Sequence, residues 1–127
     1  MLRGTHRTAI ICSDYEKSKY FYTAVLGLKI VDENYREERD SYKLDLQLPD
    51  GTQVELFSFP DFAPRAGYPE ALGLRHLAFA VESMELTCKH LQSFAVAVEP
   101  VRIDPYTGKK YTFFTDPDNL PLEIYEL

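Results

Sequence analysis

The sequence predicts an α+β domain built from two tandem β-α-β-β-β modules, and three observations carry that prediction. The first is an internal repeat. Arg75-His76-Leu77-Ala78-Phe79 opens a segment closing on Leu122-Glu123-Ile124-Tyr125, and Arg7-Thr8-Ala9-Ile10-Ile11 opens one closing on Val54-Glu55-Leu56-Phe57. His76 and Glu123 are 47 positions apart, and Arg7 and Glu55 are 48 apart. The second is that each half runs in the same order: a short apolar strand, a capped helical stretch, then strands with period-two alternation. The third is a Glu between apolar residues on the last strand of each half, which points to a site shared by the two copies.

The elements follow in chain order. Positions 8–12 form a β-branched apolar run and read as a strand. Ser13-Asp14-Tyr15-Glu16 has the capping-box pattern, in which the Ser hydroxyl and Glu carboxylate satisfy orphan N–H groups. A helix is expected to about Leu26, with Gly27 as left-handed cap and Ser18, Phe21, Tyr22 and Val25 facing inward. Positions 28–33 read as a strand, and the densely charged stretch 35–41 as a loop or strand end. Leu44-Asp45-Leu46-Gln47-Leu48 alternates as a half-buried strand does, and Pro49-Asp50-Gly51 turns the chain into a partner strand over 52–59. Residues 60–73 carry prolines and glycines without periodicity and read as a linker. The expected organisation is one domain over 1–127, with modules of about 1–60 and 74–127.

The second copy repeats the plan. Positions 74–81 read as a strand, and Ser83 caps a helix to about Phe94 with Met84, Cys88, Leu91 and Phe94 on one stripe. A strand is expected over 96–103 and a turn at Pro105-Tyr106-Thr107-Gly108. A hairpin of 111–115 and 120–125 then folds around Asp116-Pro117-Asp118-Asn119.

Composition narrows the function. The chain has 127 residues, 45% hydrophobic and 27% charged, the balance of a soluble globular domain large enough to bury a core. A formal charge of −6 argues against nucleic acid or an anionic membrane as partner. No apolar run is long enough to span a bilayer, and Met1-Leu2-Arg3-Gly4-Thr5-His6 is not a signal peptide. The two cysteines, Cys12 and Cys88, read as small apolar residues in a reducing compartment, so a cytoplasmic protein is expected.

Strand alternation sorts the chemistry-bearing side chains. Glu55 shares a face with Phe57 and Phe59, opposite Val54 and Leu56. Glu123 shares one with Tyr125, opposite Leu122 and Ile124. His76 shares one with Ala78 and Ala80, opposite Leu77, Phe79 and Val81. The apolar faces are expected against the helices, with the polar residues inside a concave sheet. A carboxylate there is costly unless it meets a cation or a metal. One imidazole and two carboxylates suit a divalent ion such as Zn, Ni, Fe, Mn or Co, with water positions left for a substrate oxygen. The alternative is that both Glu are ordinary solvent-facing strand residues and His76 a satisfied core histidine.

His76-Leu77-Ala78-Phe79, Val54-Glu55-Leu56-Phe57 and Asp116-Pro117-Asp118-Asn119-Leu120-Pro121-Leu122-Glu123 resemble the vicinal oxygen chelate superfamily. This is the glyoxalase I, bleomycin resistance and extradiol dioxygenase group. Tyr35-Arg36-Glu37-Glu38-Arg39-Asp40-Ser41, Glu55-Leu56-Phe57-Ser58-Phe59-Pro60 and Arg102-Ile103-Asp104-Pro105-Tyr106-Thr107-Gly108-Lys109 are similar to a small bacterial glyoxalase-like branch. The resemblance implies eight strands in a cupped, mostly antiparallel sheet around one divalent metal, with the helices outside. It also implies a homodimer, since short members often complete each cup with strands from two subunits. The implied ligands are Glu55, His76, Glu123 and a first-strand His. That His belongs seven positions before Asp14, where this chain has Arg7, with His6 one place early. Three arrangements are open: a bulge turns His6 inward; Arg7 points in and replaces the metal; or three ligands hold the metal with Arg7 swung aside.

The activity implied is a glyoxalase I-type lyase or isomerase acting on a small α-oxygenated carbonyl compound, with a thiol cosubstrate possible and Glu123 or Glu55 as the proton-transfer base. The rival is a bleomycin-resistance-type protein that binds an antibiotic or other small molecule without catalysis. Metal-dependent thiol transfer, as in fosfomycin resistance, fits less well because it uses a His/His/Glu set. Arg36 and Arg39 are candidates to grip an anionic substrate, against the plain reading of a solvated edge beside Glu37, Glu38 and Asp40. Arg75 and Arg102 have the same standing. Phe57, Phe59, Tyr111 and Tyr125 are candidates for the site wall, or simple packing residues.

Overall fold

The β-branched run at the start of the chain extends as β1 (Arg7–Cys12), one residue longer than the alternation requires. The computed structural model describes residues 1–127. The chain divides into two compact units, Met1–Ala63 and Pro64–Leu127, and each repeats β-α-β-β-β.

In the first unit, α1 (Tyr15–Tyr20) follows β1 and widens without a break into a π-helical turn, Phe21–Val25. Its cap is Asp14 and not Ser13: the Asp14 carboxylate accepts from the Lys17 amide at 3.1 Å. Asp14 is the last extended residue before the helix, which places its carboxylate over the first free amides. The helical stretch reaches the expected length, but its second half carries an i to i+5 bond, Leu26 N–H to Phe21 C=O at 2.9 Å. Every residue of the expected inward stripe is buried: Ser18, Phe21, Tyr22 and Val25. Gly27, at φ 76, ends the helix in the left-handed region as expected.

The sheet of this unit runs β2 (Lys29–Arg36), β3 (Ser41–Gln47) and β4 (Gln53–Ser58) in the order β1-β4-β3-β2. β1 and β4 are parallel; β3 is antiparallel to both β4 and β2. The charged stretch expected as loop or strand end is both: β2 runs to Arg36, and a 3₁₀ turn, Glu37–Arg39, closes on Asp40 at φ 45. Leu44, Leu46, Val54 and Leu56 fill the apolar face.

Tyr15 joins this core to a charged group. It stacks on Tyr42, with ring centroids 4.3 Å apart, and its hydroxyl donates to Glu33, which also takes the Lys19 ammonium at 2.7 Å. Burial first, and the Glu33 bond second, hold the Tyr15 phenol well above its ordinary value of 10.0. The Lys19 and then the Tyr15 hydrogen bonds hold Glu33 below the usual carboxylate range. A raised phenol stabilises the fold below its ordinary value, and that stabilisation is lost as pH rises above it. A depressed carboxylate stabilises above its ordinary value, and that is lost in acid. Stability measured against pH should therefore fall at both ends. Tyr15→Phe should cost about 1.5–3 kcal/mol at neutral pH and flatten the alkaline arm most, with a smaller change on the acid arm, where Glu33 keeps its Lys19 partner. An alkaline arm unchanged in the variant would remove Tyr15 from the account.

In the second unit, β5 (Leu77–Val81), β6 (Arg102–Ile103), β7 (Lys110–Thr115) and β8 (Pro121–Glu126) form a sheet in the order β5-β8-β7-β6. The β5–β8 pair is parallel and the others antiparallel, as in the first unit. Helix α2 (Met84–Ser93) is capped by Ser83, whose hydroxyl accepts from the Leu86 amide at 3.2 Å. Met84 and Leu91 of the expected stripe are buried, Cys88 is half-buried and Phe94, past the helix end, is exposed. Cys12 and Cys88 form no disulfide, and the Cys12 thiol donates to the Phe57 carbonyl at 3.3 Å.

The strand expected over 96–103 is reduced to two residues. Pro100 has no N–H for a ladder, and the Thr112 hydroxyl takes the Glu99 carbonyl at 2.8 Å in place of a backbone donor. The Asp116 carboxylate accepts from the amides of Asp118 and Leu120, both at 2.9 Å, which closes the β7–β8 turn with Asn119 at φ 64. No helix is long and apolar enough to cross a membrane.

Candidate functional site

Strand register places the two candidate carboxylates at equivalent points. Glu55 lies on β4 between Ala9 of β1 and Asp45 of β3. Glu123 lies on β8 between Ala78 of β5 and Phe113 of β7. Arg7 is two residues before Ala9, and His76 two before Ala78, so Arg7 and His76 are structural counterparts. The surroundings of the two carboxylates, however, have diverged.

In the first unit Glu55 is 5% exposed and faces two cations. One carboxylate oxygen, Oε2, lies 3.5 Å from Arg7 Nε and 3.4 Å from Lys43 Nζ. Both distances exceed a normal N–H···O bond, and that oxygen is buried with no hydrogen bond. The cations neutralise it by Coulomb attraction without saturating it. Lys43 is committed elsewhere, with both Asp45 oxygens at 2.9 Å. That bond, followed by the Asp45 and Glu55 charges, holds its ammonium above the usual lysine range. Arg7 is a looser partner, its side chain 52% exposed.

Between His6 and Arg7, the residue meeting Glu55 is Arg7. It opens a regular β1 on the face that alternation assigns to Glu55, and no bulge intervenes in the β1–β4 register. His6 precedes the strand and is exposed; its carbonyl accepts from the Gln53 amide at 3.0 Å.

The second unit replaces charge with aromatic surface. His76 Nε2 lies 2.9 Å from Glu123 Oε2, with the two side chains 30% and 13% exposed. The His76 ring meets Phe113 edge-on at 5.1 Å, and Phe113 meets Tyr111 edge-on at 6.2 Å. An imidazole nitrogen beside a carboxylate oxygen is a donor pair suited to Zn, Ni, Fe, Mn or Co. Within either unit no third His, Cys, Asp or Glu side chain joins such a pair. His76, Phe113, Arg75, Arg102 and Asn119 border a cavity of about 660 Å³.

The arginines singled out by sequence separate into two kinds. Arg75 pairs with Glu70 at 3.5 Å, and Arg102 with Glu99 at 3.4 Å while its guanidinium lies 5.2 Å from the Tyr111 ring. Arg36 and Arg39 pair with no acid and lie over Phe57 and Phe59. Tyr125, two residues beyond Glu123, donates to Asp104 at 3.1 Å and bonds Thr107, tying the 104–109 turn to β8. Sequence reading missed Lys43 as the second partner of Glu55. The signal was there in the alternation Lys43-Leu44-Asp45, which puts both charges on one face of β3.

The model of the Glyoxalase/Bleomycin resistance protein/Dioxygenase superfamily matches residues 4–124. YwkD of Bacillus subtilis (strain 168) is 56% identical over 126 residues, 99% of this chain and 98% of that protein. YaeR of Escherichia coli (strain K12) is 52% identical over 125 residues, 98% and 97% of the two chains. The solved structure of a glyoxalase family protein from Enterococcus faecalis has a TM-score of 0.90 and 47% identity, covering 98% of each chain. More distantly, the lactoylglutathione lyase of Schizosaccharomyces pombe is 26% identical over 140 residues, covering 94% of this chain but 46% of that protein. The duplicated β-α-β-β-β plan, the equivalent carboxylates and these matches place the chain in the Glyoxalase/Bleomycin resistance protein/Dioxygenase superfamily.

Proposed function

We propose that the protein is a divalent-metal-dependent lyase or isomerase of the glyoxalase I type, acting on a small α-oxygenated carbonyl compound. The observation that carries this reading is the His76–Glu123 pair at 2.9 Å, on strands equivalent to those that hold Glu55. The buried oxygen of Glu55, on the equivalent strand of the other unit, has no hydrogen bond and is a donor of the same chemistry. The name of the Schizosaccharomyces pombe relative agrees with the reaction class.

By donor type, His76 Nε2 and the Glu123 and Glu55 carboxylates suit a Zn, Ni, Fe, Mn or Co ion, and Arg7, not His6, is the first unit's counterpart of His76. Such an ion supplies Lewis-acid stabilisation of two adjacent substrate oxygens. His76 would contribute Nε2, which lies 2.9 Å from Glu123 Oε2. Glu123 or Glu55 takes the carbon-bound proton on a carboxylate oxygen and returns it. Arg7 is half-exposed, and a surface ion pair of this kind is worth only about 0–1 kcal/mol, so it swings aside readily. Phe113 gives the His76 side an apolar wall. A homodimer in the cytoplasm belongs to the same reading, with a thiol as possible cosubstrate.

The test is metal analysis together with turnover. The purified protein should hold about one divalent ion per chain and convert a methylglyoxal–thiol adduct to the lactoylthiol. Glu123→Gln should lose at least about a hundredfold in kcat. Metal-loaded protein that leaves the adduct unchanged excludes lactoylthiol formation, and absence of metal ends the lyase reading. The second reading, a binding protein of bleomycin-resistance type, draws on the two cations at Glu55, which oppose a divalent ion. It requires a chain that takes up no metal yet binds its ligand.

A further inference from the structure

Arg36 ends β2 directly across from Ser41 of β3, on the side of the sheet that carries Lys43 and Glu55. Its Nη2 donates to the Ser41 hydroxyl at 2.8 Å, and Ser41 is fully buried. Its guanidinium lies 5.0 Å from the Phe57 ring and 5.8 Å from that of Phe59, and Arg39 lies 5.9 Å from Phe59. The two rings are stacked at 6.0 Å with planes 9° apart, giving the cations one platform.

Three acids, Glu37, Glu38 and Asp40, flank these arginines in a chain of net charge −6, yet none pairs with them. Asp40 is taken by the Tyr35 hydroxyl at 2.5 Å. Arg36 Nε is buried with no acceptor. A cation over an aromatic face gains about 0.5–2 kcal/mol, but the ring does not satisfy an N–H, and an unmet buried donor is costly. A guanidinium held in place by a neutral hydroxyl and two rings, with donors to spare, has the form of a preorganised anion receptor.

We propose that Arg36, assisted by Arg39, is an oxyanion subsite, and that the natural ligand is a small molecule bearing a carboxylate or phosphate. Phe57 is two residues from Glu55 on the same face of β4, a rise of about 7 Å. The ligand's anionic group therefore lies about that far along β4 from the Glu55 carboxylate. Its assignment as a substrate anchor rests on the lyase reading above; the anion site itself does not.

The test uses metal-stripped protein freed of chelator, with guanidinium ¹⁵N–¹H resonances followed by NMR at fixed ionic strength. Inorganic phosphate and acetate are titrated separately, with chloride as control. The Arg36 Nε–H resonance should move saturably with at least one oxyanion, and the tighter of the two identifies the ligand class. Arg36→Gln should weaken binding by at least about tenfold, Arg39→Gln by a few-fold, and Arg36→Lys should restore part of the loss. No saturation with either oxyanion, or phosphate and acetate affinities unchanged in both Gln variants, overturns the proposal. Because no metal is present, anion binding without metal uptake sinks only the lyase reading, and metal uptake without anion binding sinks only the subsite.

Discussion

Arg7→His is expected to bind Zn(II) roughly a hundredfold more tightly than the parent chain, a gain of about 2.7 kcal/mol. The substitution changes two things at once. It removes a permanent cation 3.5 Å from Glu55, and it supplies an imidazole at the structural counterpart of His76. Two unit charges 4 Å apart interact by about 4 kcal/mol at an effective dielectric of 20, and the half-exposed guanidinium feels only part of that. The remainder, with one new nitrogen ligand, accounts for the expected gain. Arg7→Ala separates the contributions, since it removes charge without adding a donor and should fall between the two. Arg7→Lys keeps the charge and should leave affinity nearly unchanged. Competition titration against a zinc-responsive dye measures all four proteins. Equal affinities for the His and Lys variants would show that position 7 lies away from the ion.

The same substitution would also test why the two modules differ. In one, the carboxylate faces Arg7 and Lys43; in the other, Glu123 meets the His76 imidazole against Phe113. Asp45 and Phe113 occupy equivalent register positions beside the two carboxylates. The two modules share the backbone plan and the Glu, while the strand beside it is charged in the first and aromatic in the second.

The fold was legible because it rests on local signals repeated twice. A β-branched run marked β1, alternation β3, and turn residues the hairpins that hold β4, β7 and β8, while the Ser83 cap and the Gly27 stop bounded the helices. Reading failed where tertiary context outweighed a local pattern. The apolar run over 96–103 has strand composition, but Pro100 and the Thr112 hydroxyl displace its ladder. Ser13 and Asp14 are both good caps, and only backbone geometry distinguishes them. In the site, Glu55 and Glu123 stood out through the repeat, and Arg7 through its mismatch with His76. Lys43 was overlooked although alternation put it on the Asp45 face of β3, and the partners of Arg36 were hidden, because which group a cation meets depends on side-chain reach across strands. Three acids adjacent in sequence left Arg36 and Arg39 readable either as anion grips or as a solvated edge; the rings of Phe57 and Phe59 hold them.

Leu56→Ala should be the most damaging change to stability, at about 2–5 kcal/mol, while leaving the ligand-facing surface intact. Leu56 is fully buried, paired in register with Ile10 and Leu44 on the face turned toward the helix. Its neighbours Glu55 and Phe57 point to the other face, so one strand carries the core on one side and the anion platform on the other. Thermal unfolding should shift down by roughly 10 °C, and phosphate binding at 20 °C should match the parent within about twofold. Phe57→Ala is the contrasting case. It removes the ring beneath Arg36 and should weaken phosphate binding at a smaller cost in stability, since Phe57 is only half-buried. If Leu56→Ala abolishes phosphate binding in protein that is still folded at 20 °C, the two faces of β4 are mechanically coupled. The separation of core from site along this strand would then be wrong.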